Sequence, residues 1–293
     1  MKNHITIIFL FLIMLSSCNK NQEEKIMPLS ELQNEKVYKN LDSLPRNLEL
    51  VYRVDLSENN LNAIPQTIFK LHNLQELNLS LNYLTELNHL EKLQNLQILN
   101  IGMNNFKTFP NEITKLKNLK KLDIWWNDIK TFPEAFYENN VNIEELDLTS
   151  MFEFDFSTNL SKIHRFKNLR QLNLGNNQIK NLNIEFDKLS NLETFGYIRQ
   201  DKIDAKSIIL ELSKCKKLKT IHFSVNHMKV LPNEISLLDN LEELNLYENE
   251  LTNLPNNLLK MRRLKSITLA DNKIDKKIIL DFETKMPKTT FIY

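Results

Sequence analysis

The chain has 293 residues, 42% hydrophobic and 26% charged, with 38 basic against 37 acidic side chains. That balance excludes the basic footprint of a nucleic-acid binder, and three glycines in the whole chain leave no phosphate-cradling glycine loop. Two cysteines, far apart, cannot build a disulfide framework.

Residues 1–17 read as a targeting segment. Lys2 gives a short basic start, and the largely apolar stretch from Ile5 to Leu15 is too short for a bilayer span, which needs roughly 20 residues. Leu15-Ser16-Ser17-Cys18 follows directly and resembles the lipobox of bacterial lipoproteins. The resemblance implies cleavage before Cys18 and acylation (palmitate) of its thiol; an ordinary secretory signal or a signal anchor is the alternative. Several acyl chains would anchor firmly, at about 0.8 kcal/mol per buried methylene. Removing Lys2 with the leader leaves basic and acidic side chains in balance. Residues 18–33 are expected to be a flexible tether, with Asn19 to Lys25 wholly polar. By the same resemblance, Asn19 argues against inner-membrane retention, and Lys20 with Glu23-Glu24 is similar to the charged stretch of surface-exposed lipoproteins. An outer-membrane location, with the lipid facing either side, is the expectation.

Residues 34–50 are expected to form an N-terminal cap, with a short helix over Val37 to Leu48 presenting Leu41, Leu44 and Leu48. From 51 to 274 one pattern restarts ten times: apolar at positions one, four and six, usually Asn at nine, apolar at eleven. The starts are Val51, Leu74, Leu96, Leu119, Ile143, Leu169, Leu192, Leu218, Leu241 and Leu264, at intervals of 22 to 26 residues. In Leu74 to Leu84, Leu77 and Leu79 lie two apart and share one side of a short strand, while Glu76, Asn78 and Ser80 share the other. Ten parallel strands would advance roughly 45 Å along an open face. The ninth-position amides, such as Asn82 and Asn127, both donate and accept, so they are expected to bridge the backbone of neighbouring turns.

Pro65, Pro110, Pro133, Pro232 and Pro255 mark the entry to the outer segment in five of the repeats, where no backbone donor is needed. With Leu-Pro entries and tails such as Ile68-Phe69-Lys70-Leu71-His72-Asn73, the chain resembles the roughly 23-residue leucine-rich repeats of LPxxIxxLxNL type over residues 34–293. The resemblance implies an α/β leucine-rich-repeat solenoid: a horseshoe of about ten repeats, a parallel concave sheet, convex 3-10 and α segments, and helical caps at both ends. It also implies ligand or protein recognition without catalysis, cofactor or metal.

Three segments depart from the common repeat. Asp204 to Leu218 places Ile208, Ile209, Leu212 and Cys215 at helical spacing behind an Asp204 cap, predicting a true convex helix with Cys215 as a buried hydrophobe. The repeat from Ile143 puts Met151 where asparagine belongs and adds Phe152, Phe154 and Phe156; the repeat from Leu192 puts Gln200 there. Residues 275–293 are expected to close the solenoid, with a helix over Lys276 to Met286 burying Ile278, Ile279 and Phe282, and a last strand at Thr290 to Tyr293.

If positions five, seven and eight face out of the concave side, apolar bulk gathers on the second to fourth repeats: Leu81, Met103, Trp125 and Trp126, with Ile98 beside them. The two tryptophans have no core duty and are the expected anchors for a protein or peptide partner, tethered to membrane through Cys18. Asp123, Asp147, Arg199 and Tyr247 are the expected polar surround. The plainer reading is that one tryptophan folds over the rim and packs locally, and that Tyr83 merely shields a turn. A carbohydrate-binding or adhesive module, or a structural envelope lipoprotein, is the alternative function. Asp123 and Asp147, about 5 Å apart on adjacent strands, have the spacing of a retaining glycosidase pair, but an open sheet is expected to offer no desolvation to separate them. His222 and His227, with Asp201 or Glu248, lack metal-ligand spacing and are read as surface histidines.

Overall fold

A computed structural model describes residues 26–179, 181–201 and 203–293. Residues 1–17, Cys18 and the polar stretch after it lie outside the described residues. The chain forms two compact units, Met1–Glu35 and Lys36–Tyr293. In the first, the later part of the expected tether is ordered into one helical turn, α1 (Leu29–Leu32), started by the Pro28 carbonyl accepting from Glu31 N at 3.0 Å and Leu32 N at 2.9 Å.

The second unit is a leucine-rich-repeat solenoid built on one open, all-parallel sheet of twelve strands in chain order. The strands are β1 (Val37–Tyr38), β2 (Arg53–Asp55), β3 (Glu76–Asn78), β4 (Ile98–Asn100), β5 (Lys121–Asp123), β6 (Glu145–Asp147), β7 (Gln171–Asn173), β8 (Thr194–Gly196), β9 (Thr220–His222), β10 (Glu243–Asn245), β11 (Ser266–Thr268) and β12 (Thr290–Ile292). From β2 to β11 the register pairs equal positions of successive repeats, as in Leu77↔Leu99 and Leu122↔Leu146. In nine of these ten strands the middle residue is buried and both flanking residues keep some exposure; β8, whose Gly196 is also buried, is the exception. A one-residue slip would turn the buried column outward, so the hydrophobic pattern fixes the register.

The return segments are 3-10 turns such as Gln66–Lys70 and Asn111–Lys115, or helices α2 (Glu134–Asn139), α3 (Phe156–Leu160) and α4 (Ala205–Leu212). Pro65, Pro110, Pro133, Pro232 and Pro255 each stand immediately before one, as expected. Asp204 caps α4, its carboxylate accepting from Ser207 N at 3.0 Å. Cys215 is buried with Sγ 3.3 Å from the Phe186 carbonyl oxygen, and burial pushes its thiol up to about 12.

The ninth-position column behaves as its chemistry requires. The Asn82 amide donates to Leu56 O at 2.9 Å and Leu79 O at 2.9 Å, while its oxygen accepts from Asn59 N at 3.1 Å and Leu61 N at 2.9 Å. Gln200 does the same with a longer arm, donating to Leu174 O at 3.0 Å and accepting from Ile179 N at 3.1 Å. Where Met151 interrupts the column, the nearby buried Asn159 on α3 makes a different set of bonds, accepting from Phe132 N at 3.0 Å and the Tyr137 hydroxyl at 2.8 Å. A second asparagine ladder runs through the LxNL tails: Asn73 donates to Glu49 O of the N-terminal cap, and Asn95, Asn118, Asn142, Asn191 and Asn240 each donate to a carbonyl of the preceding repeat, all at 2.7–3.1 Å.

Position two carries a third ladder, of charge. Lys120, Glu144, Arg170, Glu193, Lys219, Glu242 and Lys265 alternate in sign over seven successive repeats. Arg170 lies 3.8 Å from Glu144 and 3.1 Å from Glu193, Lys219 lies 2.9 Å from Glu193, and Lys265 lies 2.5 Å from Glu242.

Both ends of the solenoid are covered, though differently from each other. At the C-terminus α5 (Lys276–Lys285) buries Ile279 and Phe282, and β12 adds the final strand. At the N-terminus the helical content is two 3-10 turns, Leu41–Ser43 and Leu48–Leu50, behind the two-residue β1; Leu41, Leu44 and Leu48 are half-buried against the core. Asn40 and Asn47 each start a single turn by accepting from Asp42 N and Glu49 N, and extended Leu44 ahead of Pro45 keeps the two from joining. Among the described residues no helix is long and apolar enough to cross a membrane.

Candidate binding surface

Beyond each strand the backbone makes one repeated move. Position eight of all ten repeats, from Glu58 through Leu81, Met103, Trp126 and Val225 to Asp271, is left-handed, with φ between 50° and 59°, and none of the ten is glycine. A side-chain-bearing residue there costs roughly 1–2 kcal/mol. The offset is a ladder of N–H groups: Leu81 N donates to Gly102 O at 2.9 Å, Met103 N to Trp125 O at 2.7 Å and Trp126 N to Thr149 O at 2.9 Å. The turn aims position nine inward and sets position eight on the rim. Leu81, Met103, Trp126, Ser150 and Arg199 are therefore rim residues, and the concave face is made by positions three, five and seven.

On that rim Trp126 and Met103 are exposed, at 49% and 39%. Trp125, on the concave side, is half-buried: its indole lies across Gly102 of the preceding repeat, where an added Cβ would come within 2.0 Å of Nε1. Glycine is required there by the ring above it. Trp126 meets Trp125 edge to face, centroids 6.4 Å apart, and meets Phe152 likewise at 5.9 Å. Phe152 is exposed, whereas Phe154 and Phe156 of the same irregular repeat join a buried ring cluster with Phe132 and Phe136. Trp125 thus packs onto the preceding repeat while Trp126 stays exposed between two rings, and Phe152 completes the ridge. Sequence reasoning set Phe152 among the irregularities and missed this role; its place at position ten, beside Trp126 of the preceding repeat, was the available signal.

Asp123 and Asp147 are register partners on β5 and β6. They line a hollow of about 200 Å³ together with Ile98, Asn100, Glu145 and Asn173. Asp147 accepts from Thr149 N at 2.8 Å and from the Asn173 amide at 3.0 Å; Asp123 accepts from Trp125 N at 3.2 Å. Lys121 is 2.7 Å from Glu145. Burial, then the Asp147 charge, push the Asp123 carboxyl up to about 7, against the pull of the Trp125 N–H. This corrects the expectation that the open sheet offers no desolvation: burial within the hollow is enough to raise the Asp123 carboxyl toward neutrality.

The other two expected polar residues do not join this group. Arg199 lies three strands from Trp126, about 14 Å, and Tyr247 five strands away, about 24 Å, beside Asp271, which raises its hydroxyl above the ordinary range. Tyr83 is exposed on the rim near Leu81. His222 is half-buried, which holds its imidazole below the ordinary value, and His227 lies 3.4 Å from Glu250. Among the described residues no three His, Cys, Asp or Glu side chains gather as metal ligands.

The Leucine rich repeat family profile matches residues 49–106. Toll-like receptor 10 of Bos taurus is 39% identical over 61 residues, 21% of this chain, and the Protein flightless-1 homolog of Caenorhabditis elegans is 42% identical over 66 residues, 22% of it. Those stretches span 7% and 5% of the two relatives. The functional domain of InlJ from Listeria monocytogenes is similar in structure, with a TM-score of 0.53 and 16% identity, over 82% of this chain and 46% of that one. The likeness is one of fold.

Proposed function

We propose that the chain is a non-enzymatic recognition protein that takes a protein or peptide partner across strands β4 to β6 and the adjoining rim. The observation that carries this reading is the exposed Trp126–Phe152 ridge with Met103 beside it, held on a rigid left-handed backbone at no benefit to the core. Large aromatics fixed in place lose little entropy on binding and dominate interface energies. A sugar platform would use the outward face of Trp125, whereas a peptide would use the exposed Trp126 and Phe152 edges beside Met103, and the latter make up the larger exposed surface. Arg199 and Tyr247 would contact only a partner long enough to reach along the solenoid.

The second part of the proposal is the tether: acylated Cys18 would hold the protein to the bacterial cell envelope as an outer-membrane lipoprotein. Replacing Cys18→Ala should release the protein from the membrane fraction and abolish palmitate labelling; labelling that persists would refute the anchor. For the surface, affinity capture from cell envelope with the wild type and with Trp126→Ser/Phe152→Ser should yield a partner lost by the variant. Equal capture by both proteins would move the site elsewhere.

A further inference from the structure

Across β5 and β6 the chemistry of the face changes in one direction. It begins with the Lys121–Glu145 ion pair, passes the Asp123 and Asp147 carboxylates, and ends at Trp125, Trp126 and Phe152. At about 3.3 Å per residue the carboxylates stand ~7 Å from position seven and ~10 Å from the rim. A partner segment laid along the strands from the aromatic ridge reaches the two carboxylates within about two or three residues. The basic side chains of this part of the face are already engaged, Arg53 with Glu76 at 2.7 Å and Lys121 with Glu145 at 2.7 Å. Neither Asp123 nor Asp147 has a basic partner among the described residues, and the rim positions Leu81, Met103, Trp126 and Ser150 carry no cation. An apolar partner alone would bury the acidic pair with no cation opposite it, an unfavourable outcome, whereas a cation entering the hollow meets the carboxyl groups of both Asp123 and Asp147.

We propose that the segment held on the aromatic rim carries a lysine or arginine side chain that seats between Asp123 and Asp147, two or three residues from an apolar side chain packed on Trp126 and Phe152. This rests on the peptide-recognition reading above and names its partner class. The arriving cation displaces the proton that burial and Asp147 keep on Asp123 up to about 7, so affinity rises with pH through that range. The charged groups facing Asp123 are Lys121 on its own strand and Glu145 and Asp147 on β6; β4 contributes uncharged Ile98 and Asn100.

The test is a randomised octapeptide library selected on the full chain at about pH 7.5, with the selected peptides then measured on Asp123→Asn/Asp147→Asn and on Trp126→Ser. Enriched peptides should carry Lys or Arg two or three residues from Trp, Phe or Leu. They should lose at least tenfold affinity on either variant, and weaken severalfold on the wild type when the pH falls to about 5.5. Peptides that need Trp126 but carry no basic residue would overturn the proposal and leave the recognition reading intact. Failure to enrich any peptide would overturn both. Circular dichroism of the carboxamide variant separates lost binding from lost fold, and Asp147→Asn alone, which leaves the Trp125 hydrogen bond to Asp123 in place, should show part of the loss.

Discussion

Asp123→Asn should make the protein more stable, and by an amount that depends on pH. Burial and Asp147 raise the Asp123 carboxyl from 3.8 to about 7 in the folded state. A carboxyl raised in this way binds its proton more tightly folded than unfolded, so it carries no penalty below about pH 4, and stability is lost progressively as the pH rises from there through about 7. With those two values the wild type is penalised by roughly 1.7 kcal/mol at pH 5 and roughly 4 kcal/mol at pH 8. An asparagine occupies the same space, can keep the hydrogen bond from Trp125 N and carries no charge to desolvate. The stabilising effect of Asp123→Asn should therefore grow by about 2.5 kcal/mol between pH 5 and pH 8. Urea unfolding followed by the emission of Trp125 and Trp126, run on both proteins at the two pH values, measures this difference directly, and groups elsewhere cancel because they are common to both. A variant whose advantage is the same at pH 5 and pH 8, or one that is less stable at pH 8, would refute the assignment of a desolvated, proton-holding carboxyl.

Four further outcomes follow from the packing. Gly102→Ala places a methyl where Trp125 lies, 2.0 Å from Nε1 before relaxation, and should lift the ring into water, shifting its emission to the red at a cost of about 1–3 kcal/mol. Asn249→Ala removes an amide that donates to Phe223 O and Leu246 O and accepts from Asn226 N and Met228 N; thermal unfolding should report a loss of about 3 kcal/mol or more. Asp204→Ala removes the α4 cap and should cost about 1 kcal/mol in the same assay, with Asp204→Asn restoring most of it. Glu193→Lys sets three cations side by side in the position-two ladder and should cost roughly 1–2 kcal/mol at low salt, and less in 1 M salt.

What the sequence made legible was whatever repeats. Leu77 and Leu79 two residues apart, the amide at Asn82 and the proline before five of the return segments recur at matched places, and each recurrence reports the same local requirement. Asp204 and the helix behind it were readable for a different reason, since cap and apolar stripe lie within one segment. What stayed hidden depends on contacts between repeats. The left-handed turn at position eight carries no glycine to mark it, because its ladder of N–H bonds to the next repeat supports Trp126 and Val225 there. The partnership of Trp125 with Gly102 joins residues one repeat apart, and only the register shows that the small residue lies under the large one. The raised Asp123 carboxyl depends on burial and on Asp147 one strand away, so it too was invisible until the strands had been placed side by side. The N-terminal leucines signalled burial correctly but did not say that their segment would form single turns started at Asn40 and Asn47.

The alternating charges at position two give the solenoid a parity. Removing one repeat between Ile143 and Leu264 would bring two like-charged neighbours together, Glu144 against Glu193 if the repeat from Leu169 were lost, whereas removing two adjacent repeats restores opposite signs at the new junction. Shortened or lengthened forms of this chain should therefore tolerate changes in steps of two repeats better than in steps of one. The same rule sets which ends could be joined in a fused or permuted version: an acidic position two accepts a basic successor and resists an acidic one.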